Sequence, residues 1–188
     1  MSLSYWLAFL VAAIVIAVSP GPGAALSMSN GLRHGYRKAL RGIGGLQCAL
    51  ALQVGIVAVG LGAVLTTSVV AFDVVRYLGA AYLVWLGIRK WRAPVEQIET
   101  AGQRSDQERL FVEGLLVNLS NPKAIVFVAA LVPQFIDPTR PQWPQFLIIV
   151  LTMCGVDTIV MSGYALLASH LRRWLSDAQS IRRQNRFF

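Results

Sequence analysis

Two proline-containing interruptions inside long apolar blocks contain the residues best suited to bind a ligand. The first consists of Ser19, Pro20, Gly21, Pro22 and Gly23. Prolines remove backbone donors and glycines loosen the chain, so this segment predicts an interrupted helix. Ser19 suits an N-cap and Pro20 the first helical position, which predicts that a new helix begins there. The positive end of such a helix attracts anions, so the predicted chemistry is carboxylate binding.

The second interruption repeats this arrangement. It consists of Asn118, Ser120, Asn121, Pro122 and Lys123, in which a capping residue again directly precedes a proline. Two matching interruptions predict equivalent positions in two halves of opposite orientation. The alternative for each proline is an ordinary kink that helps helices to pack.

Polar side chains elsewhere in the apolar blocks are further candidates. Asp157 lies in the last block, where its carboxyl group could exchange protons during a transport cycle. The alternative is a static ion pair between Asp157 and Lys123 that locks helices together. Gln47 and Tyr164 could bond the amino or carboxyl group of a ligand, or simply a neighbouring helix.

The elements that must position these residues are membrane-spanning helices. Hydrophobic residues make up 55% of the chain and charged residues 14%, a composition outside the range of soluble globular domains. Apolar stretches of roughly 20 residues are long enough to cross a bilayer as helices. Five such blocks are predicted: Leu3–Met28, Ile43–Ser68, Val69–Ile88, Glu113–Ile136 and Gln145–Ser169. The predicted fold is therefore all-α, a polytopic helical membrane protein.

The net charge of +8 reflects topology rather than nucleic-acid binding. Basic residues follow the first, third and fifth blocks, and such residues mark the cytoplasmic side. The N-terminus is therefore predicted to lie outside, with the basic connections inside and near anionic membrane lipids. Residues 1–92 would form a first repeat of three helices, residues 93–112 a cytoplasmic loop, and residues 113–188 a second repeat of two helices with a basic tail, all within one membrane domain.

Several of these segments together resemble a known family. They are Ser19–Pro22, the Gly31–Gly35 turn with its following basic residues, Arg76–Leu83 leading to Gly87, Asn118–Ala124, Pro133–Phe135, and Asp157 with Tyr164. In these segments the chain resembles the homoserine and threonine resistance (RhtB) branch of the lysine-exporter (LysE) superfamily. The resemblance implies proton-driven efflux of an amino-acid-like substrate across the bacterial inner membrane, with homodimers, and without enzymatic activity, cofactor or metal.

Two other functions stay open at this point. Members of the family usually have six spans, so five predicted spans imply that the final helix is lacking, and an inactive shortened protein or helper subunit is one alternative. A membrane thiol oxidoreductase that uses Cys48 and Cys154 is the other. Neither cysteine adjoins a proline interruption or forms a CxxC motif, and this disfavours a redox pair.

Overall fold

A computed structural model describes residues 1–67 and 107–176, together with the isolated positions 70, 74, 77, 78 and 81. The described residues are helical, which confirms the predicted all-α class. The predicted third span, Val69–Ile88, lies almost entirely outside them. The helices are α1 (Leu3–Val18), α2 (Pro22–His34), α3 (Tyr36–Thr67), α4 (Gln107–Leu119), α5 (Pro122–Leu131), a short 3₁₀ turn (Val132–Phe135) and α6 (Gln142–Ser176).

The first apolar block is divided into α1 and α2, which meet at an angle of 56°. The prediction that the new helix begins at Pro20 is wrong, because Gly21 is the N-cap and Pro22 the first helical residue. A residue before proline is driven out of the helical region, so Pro22 holds Gly21 extended and prevents an earlier start. Ser19 instead ends α1, where its N–H donates to the carbonyl groups of Val15 and Ile16.

The second interruption forms as predicted. Asn121 is the N-cap of α5, its side chain accepts a hydrogen bond from the Lys123 N–H at 3.0 Å, and Pro122 occupies the first turn. The segments on either side, Glu108–Leu119 and Pro122–Phe135, meet at 57°. Both interruptions therefore bend the chain by nearly the same angle.

The helices extend beyond the apolar blocks that predicted them. α3 begins at Tyr36, so Arg37, Lys38 and Arg41 are helical, and α4 begins at Gln107, within the segment predicted as a loop. The chain turns between α2 and α3 at Gly35 alone, whose φ of +78° favours glycine.

The lengths and surfaces of these helices suit a lipid bilayer. Tyr36–Leu61 and Gln142–Leu171 are each long and apolar enough to cross a membrane, and each bent pair qualifies when taken together. Large apolar side chains on the described helices face outward. Examples are Val11, Val15, Ile56, Val59, Leu151, Ile159 and Leu167. An apolar exterior of this kind matches hydrocarbon rather than water.

Two apolar clusters hold the helices together. The Phe9 cluster contains buried side chains of α1, α3, α5 and α6, among them Leu50, Phe127 and Met153. The Leu46 cluster lies toward the basic ends of α2 and α3, and includes Ala24 and Met161. The polar residues near the interruptions lie between these two clusters.

Glycines bring α3 and α4 into backbone contact. A Cβ atom on Gly45 would collide with the carbonyl oxygen of Phe111, and one on Gly114 with that of Gly42. Small residues of this kind are how membrane helices approach closely. Gly55 and Gly60, further along α3, take no part in this contact, since nothing lies within 4 Å of a Cβ built on either.

We expect the Gly114→Ala variant to lose stability. The added methyl group must push α4 away from α3, and overpacking of this kind costs about 1–3 kcal/mol. Gly155→Ala is the matched control, because a Cβ at Gly155 on α6 meets nothing within 4 Å. Thermal unfolding in detergent should show a lower midpoint for Gly114→Ala alone. Equal midpoints for the two variants would contradict the close contact.

Candidate functional site

A cavity of about 70 Å³ lies between the two apolar clusters, where both helix interruptions meet α3 and α6. Its polar lining comes from three separate parts of the chain, the two interruptions and the middle of α6. The polar and glycine residues in that lining are Ser19, Gly21, Gly23, Asn118, Asn121, Lys123 and Asp157. Six of these seven were singled out from the sequence as site candidates, and the fold brings them to one place.

The start of α2 borders this cavity through Gly21, Gly23 and Ala24. Gly21 caps the helix without a side-chain hydrogen bond, in contrast to Asn121 at the start of α5. The first N–H groups of a helix have no intrahelical partner and lie at the positive end of its dipole. A Cβ on Gly21 would stand 3.8 Å from Lys123 Nζ, so a lysine side chain lies beside these donors. The combination of the helix start and the lysine side chain favours binding of a carboxylate group at this place.

Lys123 connects the two interruptions. Its ammonium group donates hydrogen bonds to the carbonyl oxygens of Ile16, at 2.8 Å, and Ser19. These are among the last carbonyls of α1, which a cation stabilises at the negative end of a helix. The N-terminal turn of α5 is thereby joined to the C-terminal end of α1 by a charged side chain.

Asp157 faces the same cavity from the middle of α6. Its Oδ2 accepts a hydrogen bond of 2.6 Å from Gln47 Nε2 on α3. Gln47 does not line the cavity itself, but its bond to Asp157 fixes the orientation of the carboxylate. The amide oxygen of Gln47 has no partner in the structure. A proton on Asp157 would offer a donor that this oxygen can accept.

Five of the predicted site residues lie outside the lining: Gln47, the three prolines and Tyr164. Pro20, Pro22 and Pro122 are exposed on the outer surface, where they shape the interruptions without contacting the cavity. The hydroxyl of Tyr164 donates to the carbonyl oxygen of Val18 at 2.8 Å and so anchors the end of α1.

The apolar part of the lining was not identified from the sequence. Asp157 lies between Met153 and Met161, each one helical turn away on the same face of α6. Phe127, Leu46 and Leu50 also contribute to this surface. The spacing of these apolar residues around Asp157 on α6 and Gln47 on α3 was the only sequence signal that could have identified them. That signal is not distinctive, because every face of these helices is apolar.

The fold and the cavity together define a class of protein. Helices long and apolar enough to cross a bilayer, interrupted twice beside a cavity with a partly polar lining, are the architecture of a polytopic membrane protein. A sequence model of the family described as LysE type translocator matches residues 14–188. The chain belongs to the LysE type translocator family.

Named relatives include efflux proteins. The chain is 46% identical over 190 residues to an "Uncharacterized membrane protein" of Vibrio cholerae, and the match covers 100% of this chain and 92% of the relative. A "Homoserine/homoserine lactone efflux protein" of Salmonella typhi is 43% identical, with the same coverage. A "Leucine efflux protein" of Klebsiella pneumoniae is 30% identical over 94% of this chain and 84% of the relative. No solved structure matches the chain.

Proposed function

We propose that this protein is a secondary transporter that exports amino acids or their derivatives across the bacterial inner membrane in exchange for protons. The observation that carries the proposal is the meeting of Lys123, Asp157 and the uncapped start of α2 in one cavity within the membrane-spanning fold. Family membership and relatives named for efflux of homoserine and leucine support the same substrate class.

A zwitterion fits the charge distribution of the cavity. The carboxylate of the substrate would bind the first N–H groups of α2 and the Lys123 ammonium, where both the helix dipole and the side chain favour an anion. Its ammonium group would bind Asp157, held in place by Gln47. The side chain of the substrate would then contact Phe127 and the two methionines, an adaptable apolar surface.

Competition for Asp157 gives a physical basis for proton exchange. A carboxylate can hold either a proton or the substrate's ammonium group with full strength, but not both. Proton binding from outside would therefore release the substrate there, and substrate binding from the cytoplasm would require the proton to leave. Ionisable groups at membrane depth commonly serve such relays.

The test is efflux of preloaded, labelled homoserine and leucine from proteoliposomes that contain this chain. A proton gradient, acidic on the side of release, should accelerate efflux, and an uncoupler should remove the acceleration. Liposomes without protein provide the control. A correctly inserted protein that moves neither amino acid under any gradient would favour the inactive or helper-subunit alternative.

Replacing both cysteines tests the thiol oxidoreductase alternative. Cys48 and Cys154 are free thiols, Cys48 is exposed on α3, and Cys154 faces the carbonyl oxygen of Gln47 at 3.9 Å. We expect the Cys48→Ser, Cys154→Ser double variant to keep its efflux rate within about twofold, because neither thiol lines the cavity. Loss of efflux in a stably inserted double variant would support a thiol-dependent function instead.

A further inference from the structure

Two side chains on α2 that lie outside the cavity lining carry buried polar atoms without a hydrogen-bond partner. Ser27 is 1% exposed and Asn30 is 4% exposed. Neither the Ser27 hydroxyl nor the Asn30 amide nitrogen makes a hydrogen bond. Buried polar groups are nearly always paired, and leaving one unpaired costs free energy. A structural role alone would be better served by apolar residues at both positions.

The two residues continue the cavity-lining face of α2 toward the basic end of that helix. Gly23 and Ala24 line the cavity, Ser27 lies one helical turn further along the same face, and Asn30 follows on the next turn. A Cβ on Gly42 of α3 would stand 2.7 Å from Asn30 Nδ2 and 3.5 Å from the carbonyl oxygen of Leu110. Asn30 therefore lies where α2, α3 and α4 meet.

Apolar side chains pack against α2 at Gly23, between Ser27 and the start of the helix. Leu46 and Met161 line the cavity and also flank Gly23, since a Cβ there would be 3.5 Å from Leu46 and 3.8 Å from the Met161 sulfur. Both belong to the Leu46 cluster, on the Ser27 side of Asp157. An unbranched methionine changes rotamer readily, so this contact can open without movement of a whole helix.

We propose that Ser27 and Asn30 form a second binding station for the substrate's carboxylate, on an access route that runs along α2 from the cytoplasm to the cavity. The unpaired atoms are a hydroxyl and an amide N–H₂, which can both donate to a carboxylate. Leu46 and Met161 pack against α2 on this route in this structure. The proposal rests on the proposed export function, because it gives the path by which an exported amino acid reaches Lys123 and Asp157.

The first test compares efflux with stability in Ser27→Ala and Asn30→Ala. Both variants should export roughly 10-fold more slowly, the effect of one lost hydrogen bond to a charged group. Their thermal midpoints should be unchanged or higher, since each loses an unpaired buried group. Ser169→Ala is the matched control, because the hydroxyl of this buried serine on α6 donates to Leu166. Unchanged efflux in both variants would overturn the proposal.

The second test asks whether Ser27 becomes accessible. In a background lacking Cys48 and Cys154, a Ser27→Cys variant should react with a charged, membrane-impermeant methanethiosulfonate reagent from the cytoplasmic side. Added substrate should slow this reaction. An Ala39→Cys variant, at a position 0% exposed in the Leu46 cluster, should stay unreactive. A Ser27→Cys variant that never reacts, in a protein that exports normally, would refute the route. Absence of export from the parent chain would instead refute the proposed function.

Discussion

Replacing Asp157 with asparagine is expected to abolish proton-driven efflux. Asparagine keeps the size and the contact with Gln47, but it has neither the negative charge nor the exchangeable proton. Loss of one charge-assisted hydrogen bond predicts a rate about 10- to 150-fold lower at subsaturating substrate. The residual rate should no longer respond to a pH gradient, and labelled amino-acid efflux from proteoliposomes at several gradients measures both effects.

Asp137→Asn is the matched control for this variant. Asp137 lies between the 3₁₀ turn and α6, where it forms an ion pair with Arg140 at 3.3 Å. Hydrogen bonds from Thr139 lower the pKa of the Asp137 carboxyl below its ordinary value, so this group stays ionised at neutral pH. Its replacement should leave the gradient response intact. A gradient response that survives in Asp157→Asn would exclude Asp157 as the proton-exchanging group.

Replacing Lys123 with methionine is expected to remove both substrate binding and part of the protein's stability. The variant would leave the carbonyl oxygens of Ile16 and Ser19 without their donor, at a cost of about 1–3 kcal/mol. It would also remove the cation beside the start of α2, which the substrate's carboxylate needs. We expect efflux to fall about 10- to 150-fold, and the thermal midpoint to fall with it.

Two further variants separate these contributions. Lys123→Arg keeps the charge and should retain stability, with efflux reduced because the larger guanidinium group alters the geometry. Lys38→Met removes an exposed lysine near the start of α3 and should behave as the parent chain. The deciding measurement is the rise in thermal midpoint on adding homoserine or leucine, which should vanish in Lys123→Met. A ligand-dependent rise that persists would assign Lys123 a structural role only.

The similar bends of the two interrupted segments, 56° and 57°, support the hypothesis of two related halves. In both, a proline occupies the first turn after the interruption and the segment borders the cavity. Their chemistry differs, because Asn121 caps α5 with its side chain whereas Gly21 leaves the start of α2 open. This difference explains why one interruption binds an anion in our proposal while the other supplies Lys123.

The sequence by itself predicted helices apolar and long enough to cross a bilayer, and the two places where the described helices are interrupted. Both features are local, since apolar length sets a span and proline with its preceding residue sets an interruption. Even there, the sequence-based prediction chose the wrong one of two nearby prolines as the start of α2. Pro22 rather than Pro20 begins α2, because the residue before a proline cannot be helical without strain.

Only the tertiary structure decided which residues share the cavity. Gln47 and Asp157 are 110 positions apart, and Lys123 lies 107 positions from Ile16, so no local pattern predicts either contact. Hydrophobic periodicity identifies the inner face of a helix in water, but a membrane helix is apolar toward lipid and protein alike. Met153 and Met161 were therefore missed, and Tyr164 was placed in the site although it anchors α1.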